Sequence, residues 1–168
     1  GDVHGKFERY KTLTKNHQNT IQVGDMGVGF KNYHGEWMTN PPFDHMAKGN
    51  HRFIRGNHDN PGVCRNHKQW IPDGTIEDNV MFIGGAWSID HALRVEGISW
   101  WEHEQCSHNQ LNDFVDLAIA KKPSVIISHD CPMGIVPAVF LNHSKQHIVT
   151  RTGQALESIR QLAPPKLW

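Results

Sequence analysis

The chain has 168 residues, enough for a single domain with a real hydrophobic core over residues 1–168, and its hydrophobic content of 38% is ordinary for a soluble globule. Lys plus Arg and Asp plus Glu both number 17, so no basic field indicates a nucleic-acid partner, although a local patch stays open. No apolar run approaches the roughly 20 residues needed to span a bilayer, which argues against a membrane partner.

The first half of the chain alternates short helical and strand patterns. Residues 6–16 are polar with apolar side chains three apart, which predicts a short amphipathic helix. Residues 20–23 and 52–55 are β-rich runs, and the segment 26–49 between them is a long loop with room for a short helix. The Asn-Pro-Gly sequence at 60–62 predicts a turn.

The second half contains more strongly patterned elements. Ser107 has the form of a helix cap before apolar residues at helical spacing, and Pro123 ends that helix. Residues 87–104 are rich in Trp and charge, and we expect an irregular surface stretch there. The other predicted elements are a strand at 80–83, a strand at 124–128 and a helix at 152–162.

This order of elements predicts an α/β fold. Strands alternate with helices or long loops, so we expect a sandwich with central β-sheets flanked by helices. The residues with chemically useful side chains follow strands, at their carboxyl ends. In open α/β sheets this edge is the usual position of a ligand-binding crevice.

The cysteines indicate a reducing compartment. Cys64, Cys106 and Cys131 are odd in number, unevenly spaced and without a C-x-x-C pair. Disulfide frameworks need regular pairs of cysteines and an oxidising environment. We therefore expect reduced thiols and a cytoplasmic protein.

Short motifs hold most of the candidate site residues. Asp2 and His4 alternate by two, so on an extended segment they would point to the same side. Asp25 follows a strand end, where a carboxylate can bridge two cations. Asn57 offers a neutral oxygen, and His129 offers an imidazole after another apolar strand. Taken singly, the Asp2–His4 and Asp25 motifs also fit ordinary turns.

The Gly-Asn-His-Asp run at 56–59 is the most specific motif. His58 can protonate a leaving group or stabilise transition-state charge, since it adjoins the ligand candidate Asn57 but points elsewhere. Asp59 can orient the His58 imidazole. The alternative is an Asn-His turn with a helix cap, which the preceding strand disfavours.

Together and in this order, the motifs resemble those of the calcineurin-like metallophosphoesterase superfamily. Its pattern is D-x-H, then G-D, then G-N-H-[DE], then a lone H, then G-H-x-H, and the first four blocks occur here. Residues 84–90, the Trp-Trp pair at 100–101 with two nearby glutamates, and residues 128–132 also resemble a branch common among phage and actinobacterial members.

The resemblance implies a role for each site residue. His58 would be the catalytic histidine and Arg55 a contact for substrate phosphate, with a surface arginine beside a strand as the alternative for Arg55. Two divalent ions would be bound, with manganese favoured and iron, zinc or nickel also compatible. The implied ligands are Asp2, His4 and Asp25 for the first ion and Asp25, Asn57 and His129 for the second.

The chain departs from the family pattern at its ends. No G-H-x-H block occurs, and no apolar strand precedes Asp2. We therefore expect a partial sequence that lacks the first and last core strands of a metallophosphoesterase-type sandwich. His91, His143, His147 or a histidine of a second copy could replace the missing ligands. The motifs at Asp25 and Asn57 also differ from those of protein serine/threonine phosphatases.

The expected function is hydrolysis of a phosphate mono- or diester, in a small molecule or nucleotide, by a metal-activated water. The pocket walls would come from residues 26–49 and 87–105, where tryptophans could stack a base or aryl group. The alternative is a catalytically impaired or non-catalytic scaffold with the same fold. A nuclease is a third possibility, disfavoured by the neutral net charge. The oligomeric state is not indicated.

Overall fold

The structure, a computed structural model, describes residues 2–31, 34–36, 41–136 and 149–168. The α-helices in these ranges are α1 Phe7–Thr14, α2 Phe43–Lys48, α3 Pro61–Cys64, α4 His108–Lys121 and α5 Arg151–Leu162. The β-strands are β1 Thr20–Val23, β2 His51–Ile54, β3 Ile76–Glu77, β4 Val80–Ile83 and β5 Val125–Ser128. Short 3₁₀ turns occupy His91–Leu93, Glu102–Glu104 and Met133–Ile135.

The strands form two small sheets. In one, β1 and β2 run parallel, and in the other β4 lies between parallel β5 and antiparallel β3. The Gly85 amide donates to the Arg55 carbonyl oxygen at 2.8 Å and so ties the end of β4 to the end of β2. The predicted α/β class is thus confirmed as a mixed α/β structure with small sheets, and its metallophosphoesterase-type arrangement stays a prediction.

Strand alternation divides the apolar core into three clusters, because successive side chains point to opposite faces. Phe53 joins a cluster with Tyr10 and Met46, from α1 and α2. The next residue, Ile54, instead packs with Phe82 of the other sheet. The remaining cluster joins the second sheet to α4 and α5, and its buried members are Met81, Ile83, Ala118, Ile126, Leu156, Ile159 and Ala163.

Most of the predicted elements are confirmed, with shifts of one or two residues at their ends. Ser107 caps α4 in a full capping box, since its hydroxyl accepts from the Gln110 amide while the Gln110 side chain accepts from the Ser107 amide. The predicted turn at 60–62 is instead the start of α3, because the Asn60 side chain accepts from the Gly62 and Val63 amides. Strand β3 was not predicted, because two residues are too few to show alternation.

The prediction of a surface stretch at 87–104 is wrong for several of its residues. Ser88, Trp101 and Glu104 are all buried. The Glu104 end of this stretch is joined to the end of β2, since the Arg55 guanidinium donates to the Glu104 carbonyl oxygen. None of the helices in the described ranges has the length and apolar character that crossing a bilayer requires.

Candidate metal centre

The predicted ligands converge at the carboxyl ends of the parallel strands. Asp25 follows β1, Asn57 follows β2 and His129 follows β5. The Val3 and His4 amides donate to the Asp25 carbonyl oxygen at 3.0 and 2.9 Å, which brings the segment before α1 to the same edge. Parallel strands end at one edge of a sheet, so the fold itself gathers these side chains.

The Asp25 carboxylate lies at the centre of the group. Its Oδ2 is 3.3 Å from His4 Nε2, and its Oδ1 is 3.3 Å from His129 Nε2. His4 Nε2 is also 3.7 Å from Asp2 Oδ1, although the Asp2 side chain is largely exposed. On the opposite side, His129 Nε2 is 3.1 Å from Asn57 Oδ1. One carboxylate oxygen therefore faces each half of the predicted ligand set.

The hydrogen bonds of His129 leave its Nε2 atom in the middle of the group. Its Nδ1 lies 2.8 Å from the Val23 carbonyl oxygen, which can only accept, so Nδ1 carries a proton. Nε2 then lies 3.1 Å from Asn57 Oδ1 and 3.3 Å from Asp25 Oδ1, and both of these oxygens accept. A proton or a cation beside Nε2 would satisfy both acceptors.

The separations of the donor atoms fit a metal ion. Ligands held about 2.1 Å from one ion lie about 3.0 Å apart at a right angle and about 3.4 Å apart at a tetrahedral angle. The contacts of Asp25 with its two histidines are in this range. In addition, ligand-type atoms of His4, Asp25 and His58 lie within 4.8 Å of one another. This last group includes His58, which the sequence assigned to catalysis.

Two of the site residues have a left-handed backbone. Asp25 has φ +57° and His4 has φ +42°. Non-glycine residues rarely adopt this conformation, and it is concentrated at functional sites. The expectation that Asp2 and His4 lie on an extended segment is therefore wrong, and a turn at His4 brings the two side chains together instead.

Glycines permit the close approach of the backbone to the cluster. A Cβ on Gly24, which has φ +96°, would lie 2.2 Å from Nδ1 of His129. A Cβ on Gly56 would lie 2.1 Å from Asp25 Oδ1. Any side chain at these positions would displace a predicted ligand, so the packing of His129 and Asp25 requires glycine at both.

His58 lies against the cluster and is held by its neighbours. Its ring meets the His4 ring edge-on, with centroids 4.5 Å apart, and stacks on Phe30 at 5.8 Å. The Arg94 guanidinium contacts both ring nitrogens of His58 and is paired with Asp90 at 2.8 and 2.9 Å. Burial lowers the pKa of His58, the Asp25 carboxylate opposes this effect, and Arg94 adds to it.

Asp59 has a different role from the predicted one. Its fully buried carboxylate accepts from the backbone amides of residues 26, 27, 28 and 56, at 2.8–3.1 Å. These bonds lock the loop after β1 to the loop after β2. Its oxygens are thus occupied by the backbone, and Arg94, not Asp59, contacts the His58 imidazole. The prediction that Asp59 orients His58 is wrong.

The structure gives Arg55 partners other than the predicted substrate phosphate. Arg55 is 3% exposed. Its Nε donates to Asp73 at 2.7 Å, its Nη1 donates to the Glu104 carbonyl at 2.6 Å, and its Nη2 contacts Cys106 Sγ at 3.1 Å. The guanidinium therefore joins buried segments of the fold, because its side chain leaves β2 toward Asp73 and away from the cluster.

Four further residues bear on the site but were not predicted. Ser88 and Glu104 are linked to Asn57, and Asp90 and Arg94 are linked to His58. All lie in residues 87–104, where no helical or strand periodicity indicates that Ser88 and Glu104 are buried. Their position after a strand could have indicated two of them, since Ser88 and Asp90 follow β4 at the same sheet edge as the predicted ligands.

The proposed substitutes for the missing histidines are only partly described. His91 lies with Nδ1 3.3 Å from the Ser88 carbonyl oxygen and its ring 5.1 Å from that of Trp87. His143 and His147 lie outside the described residues, as does Trp37 of the expected pocket wall. Trp101 is buried and packs edge-on against Phe30 at 5.0 Å, so it backs the ring that supports His58.

Comparison with protein-family models, with curated proteins and with solved structures found no match to this chain.

Proposed function

We propose that the protein is a metal-dependent phosphoesterase that hydrolyses a phosphate mono- or diester. The observation that carries this proposal is the convergence of acceptor atoms from Asp25, Asn57 and His129, with His4 on the other side of the same carboxylate. Such a group of carboxylate, carboxamide and imidazole ligands suits Mn²⁺, Fe²⁺ or Zn²⁺.

Each residue of the cluster has a part in the proposed reaction. Asp2, His4 and Asp25 would hold one ion, and Asp25, Asn57 and His129 a second. Divalent ions bound there would lower the pKa of a water toward neutrality and offset charge on the phosphate. His58 would assist departure of the leaving oxygen. Arg94, and not Arg55, is the guanidinium that lies beside His58, and it would offset phosphate charge there.

The same proposal extends to the fold and the setting of the protein. We propose that the two small sheets, with a shared apolar cluster between them, belong to a metallophosphoesterase-type sandwich. Free Cys64, Cys106 and Cys131 support the proposal of a cytoplasmic protein.

The proposal is tested by phosphatase assays with added Mn²⁺ or Ni²⁺ on p-nitrophenyl phosphate and bis(p-nitrophenyl) phosphate. We expect metal-dependent turnover that chelation abolishes. His58→Ala should lower kcat by about 10²–10⁴-fold, since a positioned proton donor contributes that much. Asn57→Ala should lower turnover at limiting metal, because one ligand is lost. The ratio of rates on the two esters distinguishes a monoesterase from a diesterase.

The matched control for these variants is His108→Ala. His108 is an exposed histidine at the start of α4, remote in the chain from the cluster, and its replacement should leave turnover unchanged. Equal kcat in His58→Ala and wild type would contradict the role of His58. A folded wild-type protein without turnover on either ester, with any divalent ion, would favour the scaffold alternative.

A further inference from the structure

The amide group of Asn57 is oriented by a buried chain of hydrogen bonds. Asn57 Nδ2 donates to Ser88 Oγ at 2.9 Å, and Ser88 Oγ donates to Glu104 Oε2 at 2.5 Å. The Ser88 amide also donates to Glu104 Oε1 at 2.6 Å. Ser88 is fully buried and Glu104 is 2% exposed, so water does not compete for these bonds.

The direction of each bond is fixed by the carboxylate. The Glu104 carboxylate oxygens accept both from the amide and from the hydroxyl of Ser88, so the single hydroxyl proton of Ser88 points to Glu104. Ser88 Oγ must then accept from Asn57, and only the NH₂ end of that amide can donate. The Oδ1 end is thereby turned to His129 Nε2, 3.1 Å away. Glu104, at the far end of this buried series of hydrogen bonds, therefore determines that Oδ1 of Asn57 faces the cluster.

We propose that Ser88 and Glu104 are positioning residues that present the Asn57 oxygen, and not its NH₂ group, to a metal ion. This inference rests on the proposed metal centre. It adds Ser88 and Glu104 to the centre. Neither contacts the predicted ligand atom Oδ1 of Asn57, but together they determine that this oxygen faces the metal ion. Hydrogen-bonded partners behind metal ligands commonly change metal affinity by about 10–100-fold when replaced.

Reversal of the polarity gives a specific expectation. Glu104→Gln places an NH₂ group where a carboxylate oxygen stood, so it can donate to Ser88 Oγ. The Ser88 hydroxyl proton then turns to Asn57, whose amide rotates and directs NH₂ into the cluster. Ser88→Ala removes the connection altogether. We expect Mn²⁺ affinity, measured by calorimetry, to fall by about 10–100-fold in both variants.

A second background separates polarity from packing. In Asn57→Asp both ends of the side chain are oxygen, so reversal of the Ser88 bond no longer removes a ligand. Adding Glu104→Gln to Asn57→Asp should leave Mn²⁺ affinity unchanged or raise it. A loss of the same size in both backgrounds would indicate general damage to the fold and would overturn the inference. Ser107→Ala, which removes the α4 cap, is the control for stability loss alone.

A measurement without metal distinguishes the two levels of the proposal. In chelator-treated wild type, the side-chain NH₂ protons of Asn57, assigned by their loss in Asn57→Asp, should exchange slowly in NMR spectra and exchange faster in Ser88→Ala. If they do so but wild type binds no Mn²⁺, the orientation stands and the metal centre falls. If wild type binds Mn²⁺ and Ser88→Ala and Glu104→Gln bind it equally well, the positioning role is overturned and the metal centre stands.

Discussion

At the scale of single residues, Asp59 is the strongest connection between the loops that carry the cluster. A carboxylate that accepts four backbone hydrogen bonds offers what an amide cannot, since an amide has only one accepting oxygen. Burial raises the pKa of Asp59, while the bonds from Gly56 and Val28 act in the opposite direction. The backbone amides thus stabilise the buried carboxylate of Asp59, and the carboxylate in turn holds the two loops together.

Asp59→Asn is expected to lower the free energy of unfolding by about 2 kcal/mol or more, because each buried donor left without a partner costs about 1–3 kcal/mol. The measurement is urea denaturation at neutral pH. Asp113→Asn, an exposed aspartate of α4, is the control and should change stability by less than about 0.5 kcal/mol. Unchanged stability with a large loss of kcat would instead restore the predicted role of Asp59 as a partner of His58.

At the scale of elements, one arginine within β2 and one directly after it have different environments. Arg55 follows the strand and joins Asp73 to the Glu102–Glu104 turn, with a side chain only 4% exposed. Arg52, within the strand, pairs with Glu77 of β3, and both side chains are substantially exposed. Comparing the two ion pairs shows how strongly solvent exposure affects the contribution of an ion pair to the free energy of unfolding.

Arg55→Met should lower the free energy of unfolding by about 3–5 kcal/mol, because it leaves the Asp73 carboxylate, which is only 12% exposed, without its cation. Arg52→Met should cost at most about 1 kcal/mol, since Glu77 regains water. Paired urea denaturation curves provide the comparison. If Arg55→Met fails to fold, Arg55→Lys keeps the charge and should give an intermediate loss. Losses of equal size at the two positions would contradict a structural role for Arg55.

For the whole molecule, structure was predicted well where the sequence has periodic patterns or motifs, and poorly in the aperiodic segment 87–104. Helix α4 was predicted from its cap and its apolar spacing, and the meeting of Asp25, Asn57 and His129 from strand ends. Asp59 and Arg55 have other partners than the predicted ones, because a motif gives the position of a residue but not its hydrogen-bond partners. Ser88 was missed because burial in residues 87–104 comes from tertiary packing, which leaves no local period.

Away from the cluster, at the amino end of β2, a buried histidine lies among aromatic rings. His51 is 2% exposed, its Nδ1 is 2.9 Å from Thr20 Oγ1, and its ring stacks on His45 and meets Tyr10 edge-on. Burial lowers the pKa of His51, and the nearby His45 and His17 add to this shift. Burial also lowers the pKa of His67, which stacks on Phe43.

A lowered pKa in the folded state means that the unfolded chain binds more protons once the pH falls below about 6.5, the ordinary histidine value. The contribution of neutral His51 is therefore complete above that pH and decreases as the pH falls toward its folded pKa. We expect the free energy of unfolding, measured by urea denaturation with chelator present, to decrease on acidification by up to about 1.4 kcal/mol per pH unit for this group. His51→Asn should remove that part of the slope, whereas His108→Gln, at an exposed site, should not. Parallel pH profiles for wild type and His51→Asn would show that the buried imidazole is not the source, because only a group that titrates differently in the two states can change the slope.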